Sequence, residues 1–228
     1  MPATDQQLTI PVGDATVSAA YGRPGKPSPH APTVVVAHGA GAGMEHPFLL
    51  GFTAALNVLG LATLRFNFPY REAGRKFPDR PPVAIATWRA VMDAAANQAA
   101  LRGDTGPLVA CGKSFGGRMA SMAVAAGMPA AGLVYLGYPL HPPGKPDKLR
   151  DEHLYGLATP MLFLQGTRDT FATPHILEDV VSRIGRNAVL QWVEGGDHSF
   201  AVAGHKRPAG EVGASLAVPV AGFISSLE

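Results

Sequence analysis

Short apolar runs rich in β-branched residues recur along the chain at Leu8 to Val12, Thr16 to Ala20, Thr33 to Ala37, Ala62 to Phe66, Leu108 to Cys111, Leu133 to Leu136, Met161 to Leu164 and Val189 to Val193. Their lengths and bounding turn residues predict strands. From Thr33 onward the runs alternate with stretches of helical period, the pattern of βαβ units, which predicts a mostly parallel central sheet with helices on both faces. The first two runs are placed to form an antiparallel hairpin.

The clearest helix is expected from Pro81 to about Arg102, where Trp88, Val91, Met92, Ala95 and Ala99 share one face. Asp79 and the Pro81-Pro82 pair mark its start and Gly103 its stop. A second begins at Thr173 as N-cap with Pro174 in the first turn, carries Leu177, Val180, Val181 and Ile184 on one stripe, and ends at Gly185. Two more are expected over Pro47 to Leu59 and Phe115 to Ala126. The Pro/Gly-rich segments Gly22 to Pro32, Pro69 to Pro82 and Tyr138 to Pro146 read as connections, because strand-helix alternation resumes after each. The whole chain, 1–228, is therefore expected to be one domain with a minimal lid or none.

Composition agrees with a sheet covered on both faces: 46% of the 228 residues are hydrophobic and only 16% charged. A formal charge of +2 without a dense basic tract gives no reason to expect a nucleic acid or an anionic membrane as partner. The N-terminus, Met1-Pro-Ala-Thr-Asp-Gln-Gln-Leu, lacks the pattern of a secretory signal, and no apolar run approaches the roughly 20 residues of a membrane span. The single cysteine, Cys111, fits a reducing compartment and predicts a cytoplasmic protein.

Candidate chemistry centres on Gly112-Lys-Ser114-Phe-Gly116, a G-x-S-x-G sequence between the run Leu108 to Cys111 and a small-residue helix. In that context the motif is a nucleophile elbow, a sharp strand-to-helix turn that exposes the serine Oγ above the sheet in a strained backbone conformation. The competing phosphate-loop reading needs glycine where Pro107 stands and a loop where Leu108 to Cys111 predicts a strand.

A serine hydroxyl needs a base, and the base needs a carboxylate to fix its tautomer. In the order serine, acid, histidine, Asp169 follows the run Met161 to Leu164 through Gln165-Gly-Thr-Arg168, and His198 follows Val189 to Val193 through Glu194-Gly-Gly-Asp197. Both positions lie beyond the carboxyl ends of strands, where open α/β sheets bind ligands. Asp169 could instead cap the turn before Thr173, and Asp197 is assigned to its own turn. The tetrahedral oxyanion needs two donors: the Phe115 amide, and one from His38-Gly-Ala40-Gly41-Ala-Gly43, with Ala40 or Gly41 as candidates. These placements predict the α/β-hydrolase fold.

Six segments together, His38-Gly-Ala-Gly-Ala-Gly-Met44, Arg65-Phe-Asn-Phe-Pro-Tyr70, Gly112-Lys-Ser-Phe-Gly-Gly-Arg118, Gly137-Tyr-Pro-Leu-His-Pro-Pro-Gly144, Gly166-Thr-Arg-Asp169 and Gly196-Asp-His-Ser-Phe200, resemble a small family of hydrolase-like proteins. That family includes a testis-expressed protein and a subunit of a histone acetyltransferase complex, with dienelactone hydrolases as distant relatives. The resemblance covers most of the chain and implies the fold and the positions of Ser114, Asp169 and His198. Because one relative serves as a complex subunit, it also raises a protein partner. Where dienelactone hydrolases use cysteine, serine stands in this elbow, and Cys111 is expected in the core.

Tyr138 and His141 follow the run Leu133 to Leu136 and are expected at the catalytic edge, either lining a substrate pocket or forming a rigid surface turn. Lys113, Arg71 and Lys145 could form a cationic rim, though solvated surface is the favoured reading. His46, His175 and His205 lack metal-ligand spacing, so no metal and no cofactor is expected. The expected activity is hydrolysis of a small-molecule ester or other activated acyl bond. Acyl transfer, or a non-catalytic binding module, is the alternative.

Overall fold

Alternation along the central strands sorts their side chains into two cores, one on each face of a single sheet. In a computed structural model that describes residues 5–25, 30–103 and 105–227, the sheet has eight strands: β1 (Gln6–Val12), β2 (Ala15–Gly22), β3 (Thr33–Ala37), β4 (Ala62–Phe66), β5 (Leu108–Lys113), β6 (Gly132–Leu136), β7 (Met161–Gly166) and β8 (Ala188–Val193). Their order is β1-β2-β4-β3-β5-β6-β7-β8. β1 and β2 form an antiparallel hairpin whose second strand runs antiparallel to β4, and every pairing from β4 to β8 is parallel. The expected strands are all present, displaced at their ends by two residues or fewer.

The helices are α1 (Pro47–Val58), α2 (Pro69–Glu72), α3 (Pro81–Ala100), α4 (Phe115–Ala125), α5 (Pro174–Ile184), α6 (Ala209–Ser215) and α7 (Ala217–Ser225). Val35, Ala110, Tyr135 and Phe163 pack with Trp88 of α3, Met119 of α4 and Leu177 of α5. Their sequence neighbours Val34, Cys111, Val134 and Leu162 point the other way, onto Phe52 of α1, Val212 of α6 and Ile224 of α7. A side-chain period of two places adjacent residues on opposite faces, so a strand covered on both sides reads as a continuous apolar run. Cys111 is fully buried in the second core, where desolvation pushes its thiol pKa up.

Several expectations are corrected in detail. The helix α3 starts at Pro81 as expected, with Arg80 at the N-cap, while the Asp79 carboxylate accepts from the Tyr70 amide at 2.9 Å and pairs with Arg75 at 2.6 Å. Thr173 stands at the N-cap of α5 without a side-chain capping bond, its hydroxyl being held by His141. The connection Pro69 to Pro82 contains the single-turn α2, and α6 and α7 were not anticipated. Between β6 and β7 the chain forms one 3-10 turn, Glu152–Leu154, and no inserted lid domain. Residues 1–4, on which the reading of the N-terminus rests, lie outside the described residues. Among those described, no helix is long and apolar enough to cross a membrane.

Candidate active site

The turn from β5 into α4 requires glycine on both sides of Ser114. A Cβ on Gly112 would lie 2.1 Å from the Gly117 nitrogen, and one on Gly116 would lie 2.7 Å from the His38 oxygen. Strand and helix thus cross closer than side chains allow, which forces the residue between them to φ 50°, ψ −115°. That strained conformation, unusual for a residue with a Cβ, stands Ser114 at the carboxyl edge of the sheet.

Two neighbouring loops meet it there. His198 Nε2 lies 2.8 Å from Ser114 Oγ, and His198 Nδ1 lies 2.7 Å from Asp169 Oδ2. Asp169 is completely buried at its carboxylate, whereas the His198 ring keeps 23% of its surface exposed. Burying a carboxylate is costly unless donors surround it. Here Oδ2 also accepts from Gln165 Nε2 at 2.6 Å, and Oδ1 accepts from the Phe171 amide at 2.8 Å. Gln165 is itself fixed, accepting the Tyr138 amide at 2.8 Å. With the Nδ1 proton directed to Asp169, the Nε2 lone pair faces the serine hydroxyl. The Phe171 ring lies against His198, with centroids 4.2 Å apart.

Asp197, the other acid nearby, belongs to its own turn. Its Oδ1 accepts from the amides of Ser199 and Ala201 at 2.7 and 2.9 Å. The same turn holds Phe200 at φ 63°, anchored by stacking on Phe48 of α1 at 6.0 Å. Lys113 ties this loop to the elbow, its Nζ donating to the His198 carbonyl at 2.6 Å. Desolvation brings the lysine pKa down from 10.5 to about 8, against the opposing pull of the Asp169 and Asp197 charges. Lys113 therefore borders the cavity as a cation held by the His198 carbonyl rather than as solvated surface, while Arg71 and Lys145 are exposed.

Facing the elbow, the segment after β3 is held from below by two buried side chains. His38 Nδ1 donates to the Gly39 carbonyl at 2.8 Å and Nε2 accepts the Phe68 amide at 3.1 Å. Burial keeps that ring neutral, lowering its pKa to about 4. Tyr70 Oη donates to the carbonyls of Ala40 at 2.8 Å and Gly39 at 3.3 Å, and desolvation raises its phenol to about 12. In a planar trans peptide the N–H points opposite to the preceding C=O. Drawing both carbonyls toward Tyr70 therefore turns the Ala40 and Gly41 N–H groups away from it. The Phe115 amide, first in α4, has no acceptor within its own helix.

Ala40, Gly41, Ser114, Phe115 and His198 all border one cavity of about 520 Å³. Phe48, Leu49 and Phe171 supply apolar wall, and Arg118 and Arg150 supply charge. Tyr138 and His141 do not line it, a correction to the expectation from sequence. Gly137, at φ 72°, turns the chain after β6, so Tyr138 points inward and donates to the Arg150 carbonyl at 2.7 Å. His141 accepts the Thr173 amide at 2.9 Å and is 2% exposed. Pro139 takes their place in the wall.

Sequence reasoning also missed Gln165, Tyr70, Arg118 and Arg150. Arg118 had a usable signal, standing four residues after the serine and so on the same helical face; Arg150 had none. Among the described residues no group of three or more His, Cys, Asp or Glu side chains could hold a metal ion.

Residues 30–214 match the model of the alpha/beta hydrolase domain. Among solved structures, a dienelactone hydrolase from Anabaena variabilis superposes with a TM-score of 0.76 at 16% identity, covering 99% of each chain. A lidless serine hydrolase from Xanthomonas campestris gives 0.73 at 19% identity, over 100% of this chain and 94% of that one. Est1E from Butyrivibrio proteoclasticus gives 0.72 at 15% identity, over 97% and 98%. At these identities the likeness is one of fold.

Proposed function

The chain belongs to the alpha/beta hydrolase domain family, and from that premise we propose that it is a serine hydrolase cleaving an ester or other activated acyl bond through Ser114, His198 and Asp169. The observation that carries the reading is the continuous relay from Ser114 Oγ through His198 to Asp169, with bonds of 2.8 and 2.7 Å, at the wall of an open cavity. Ser114 Oγ attacks the substrate carbonyl as His198 Nε2 takes its proton, and Asp169 stabilises the imidazolium without accepting that proton. The resulting oxyanion is received by the Phe115 amide and by the Ala40 or Gly41 amide. His198 then protonates the leaving group, and water, deprotonated by the same ring, releases the acyl-enzyme. The residues require no cofactor for these steps.

The finer resemblance to the small hydrolase-like family supports the same assignment of Ser114, Asp169 and His198, and the single buried cysteine fits a cytoplasmic setting. A fluorophosphonate probe is expected to label the folded protein at Ser114 and not the Ser114→Ala variant. Turnover of an activated ester should fall about 10⁴- to 10⁶-fold in that variant. Folded protein that never labels would mark a non-catalytic module. Product transfer to added alcohols in preference to water would mark an acyltransferase.

A further inference from the structure

The cavity beside Ser114 carries more positive charge than a site for neutral esters needs. Arg118 projects from α4 one turn beyond the serine, its amide donating to the Ser114 carbonyl at 3.1 Å. Arg150 reaches the wall from the β6–β7 connection, with Nη1 donating to the Pro139 carbonyl at 3.3 Å. Both are half-buried and both line the cavity, whereas no Asp or Glu does. Among the described residues neither guanidinium has a carboxylate partner, and Arg118 Nε is buried without any hydrogen bond. A buried donor left unmade is costly, and two guanidinium groups sharing a cavity wall repel one another. Desolvation lowers the Arg118 pKa, and the Arg150 charge lowers it further. Lys113, the third cation at this wall, is already engaged by the His198 carbonyl. An anionic group entering the cavity would offset the repulsion between the two guanidinium groups, in the forked geometry that guanidinium offers a carboxylate.

We infer that Arg118 and Arg150 form an anion subsite beside the nucleophile, and that the preferred substrates are esters bearing a carboxylate. The inference rests on the serine hydrolase reading of Ser114 and names its substrate class. The two arginines act as specificity residues, binding the charged end of the substrate while the apolar wall of Phe48, Leu49 and Phe171 takes the chain between.

Matched ester pairs test it. The p-nitrophenyl hemiester of adipic acid is compared with neutral p-nitrophenyl hexanoate, which places the charge on the acyl side. The p-hexanoyloxybenzoate anion is compared with its methyl ester, which places the charge on the leaving side. The wild-type protein is expected to favour the anionic member of at least one pair by about 10- to 100-fold in kcat/KM, the range of charge-assisted hydrogen bonds. The pair that responds tells which side of the scissile bond the subsite holds. In Arg118→Met and Arg150→Met the ratio of anionic to neutral kcat/KM should fall toward one, and added salt should compress it in the wild type. If Arg118→Met does not fold, the wild-type ratio and Arg150→Met decide alone. Fluorophosphonate labelling of Ser114 with no anionic preference in either pair overturns the subsite and leaves the hydrolase standing. A preference that survives in both variants overturns the assignment to these arginines. Absence of labelling overturns the hydrolase and the subsite with it.

Discussion

Tyr70 illustrates how a side chain that does not line the cavity can bear on the proposed catalysis. Its hydroxyl holds the carbonyls of Gly39 and Ala40, and peptide planarity transmits that hold to the amides expected to receive the oxyanion. A hydrogen bond that strengthens only as charge develops acts on kcat rather than on substrate binding. Tyr70→Phe keeps the ring packed against Phe68 and Phe115 and removes only the hydroxyl. It should lower kcat about tenfold, less than the 10²- to 10³-fold loss of an oxyanion donor itself, with KM nearly unchanged in steady-state kinetics. Equal losses in binding and turnover would mean that the loop has collapsed. Nothing in the local sequence singles out this tyrosine, because its partner carbonyls lie thirty residues back along the chain. Ser114 is different: the glycines that make its strained turn stand beside it in sequence.

Among the elements, α1 and α6 are the pair that sequence periodicity could not join. They touch backbone to backbone: a Cβ on Gly51 would lie 2.0 Å from the Gly210 carbonyl oxygen, and one on Gly213 would lie 2.0 Å from the Phe48 oxygen. Side chains added there have no cavity to enter, and overpacking of this kind typically costs about 1–3 kcal/mol or more. Gly51→Ala, favourable by helix propensity alone, is therefore expected to destabilise the protein by about 2–3 kcal/mol in denaturant unfolding. A stabilised variant would show that the two helices can part. Of the four helices that sequence did reveal, α3 and α5 are the clearest, with long apolar stripes and proline in the first turn. The seven-residue α6 is Gly- and Ala-rich and α7 carries Pro219 near its start, so neither repeats often enough to register. Both helices instead take their places by covering the sheet face that holds Val34, Cys111 and Leu162.

Over the whole molecule, one buried and one half-buried histidine contribute to the response to acid. His38 and His153 are kept neutral by desolvation, each with its pKa lowered from 6.5 to about 4. The unfolded chain takes up protons at these sites below about pH 6.5 while the folded chain does not until about pH 4, so stability falls as pH drops through that window. Urea midpoints measured between pH 7 and pH 4 should decline, and His153→Gln, which retains a partner for Ser121, should flatten the decline. An unchanged slope in that variant would remove His153 from the account.

The sequence by itself determined the eight strands, the mostly parallel character of the sheet and the three residues that could form a relay, because each depends on signals within a few positions: alternation, apolar runs and turn glycines. It also placed Ser114, Asp169 and His198 beyond strand ends, and in a parallel sheet such ends share one edge. Tertiary structure decided which side chains face the cavity. Tyr138 and His141 turn inward after Gly137 and are absorbed by hydrogen bonds to Arg150 and Thr173, while Arg118 and Arg150, 32 residues apart in the chain, are left lining the open wall. Strand ends bring loops to an edge through backbone periodicity. The direction of each side chain within those loops depends on packing and on partners supplied from elsewhere in the fold.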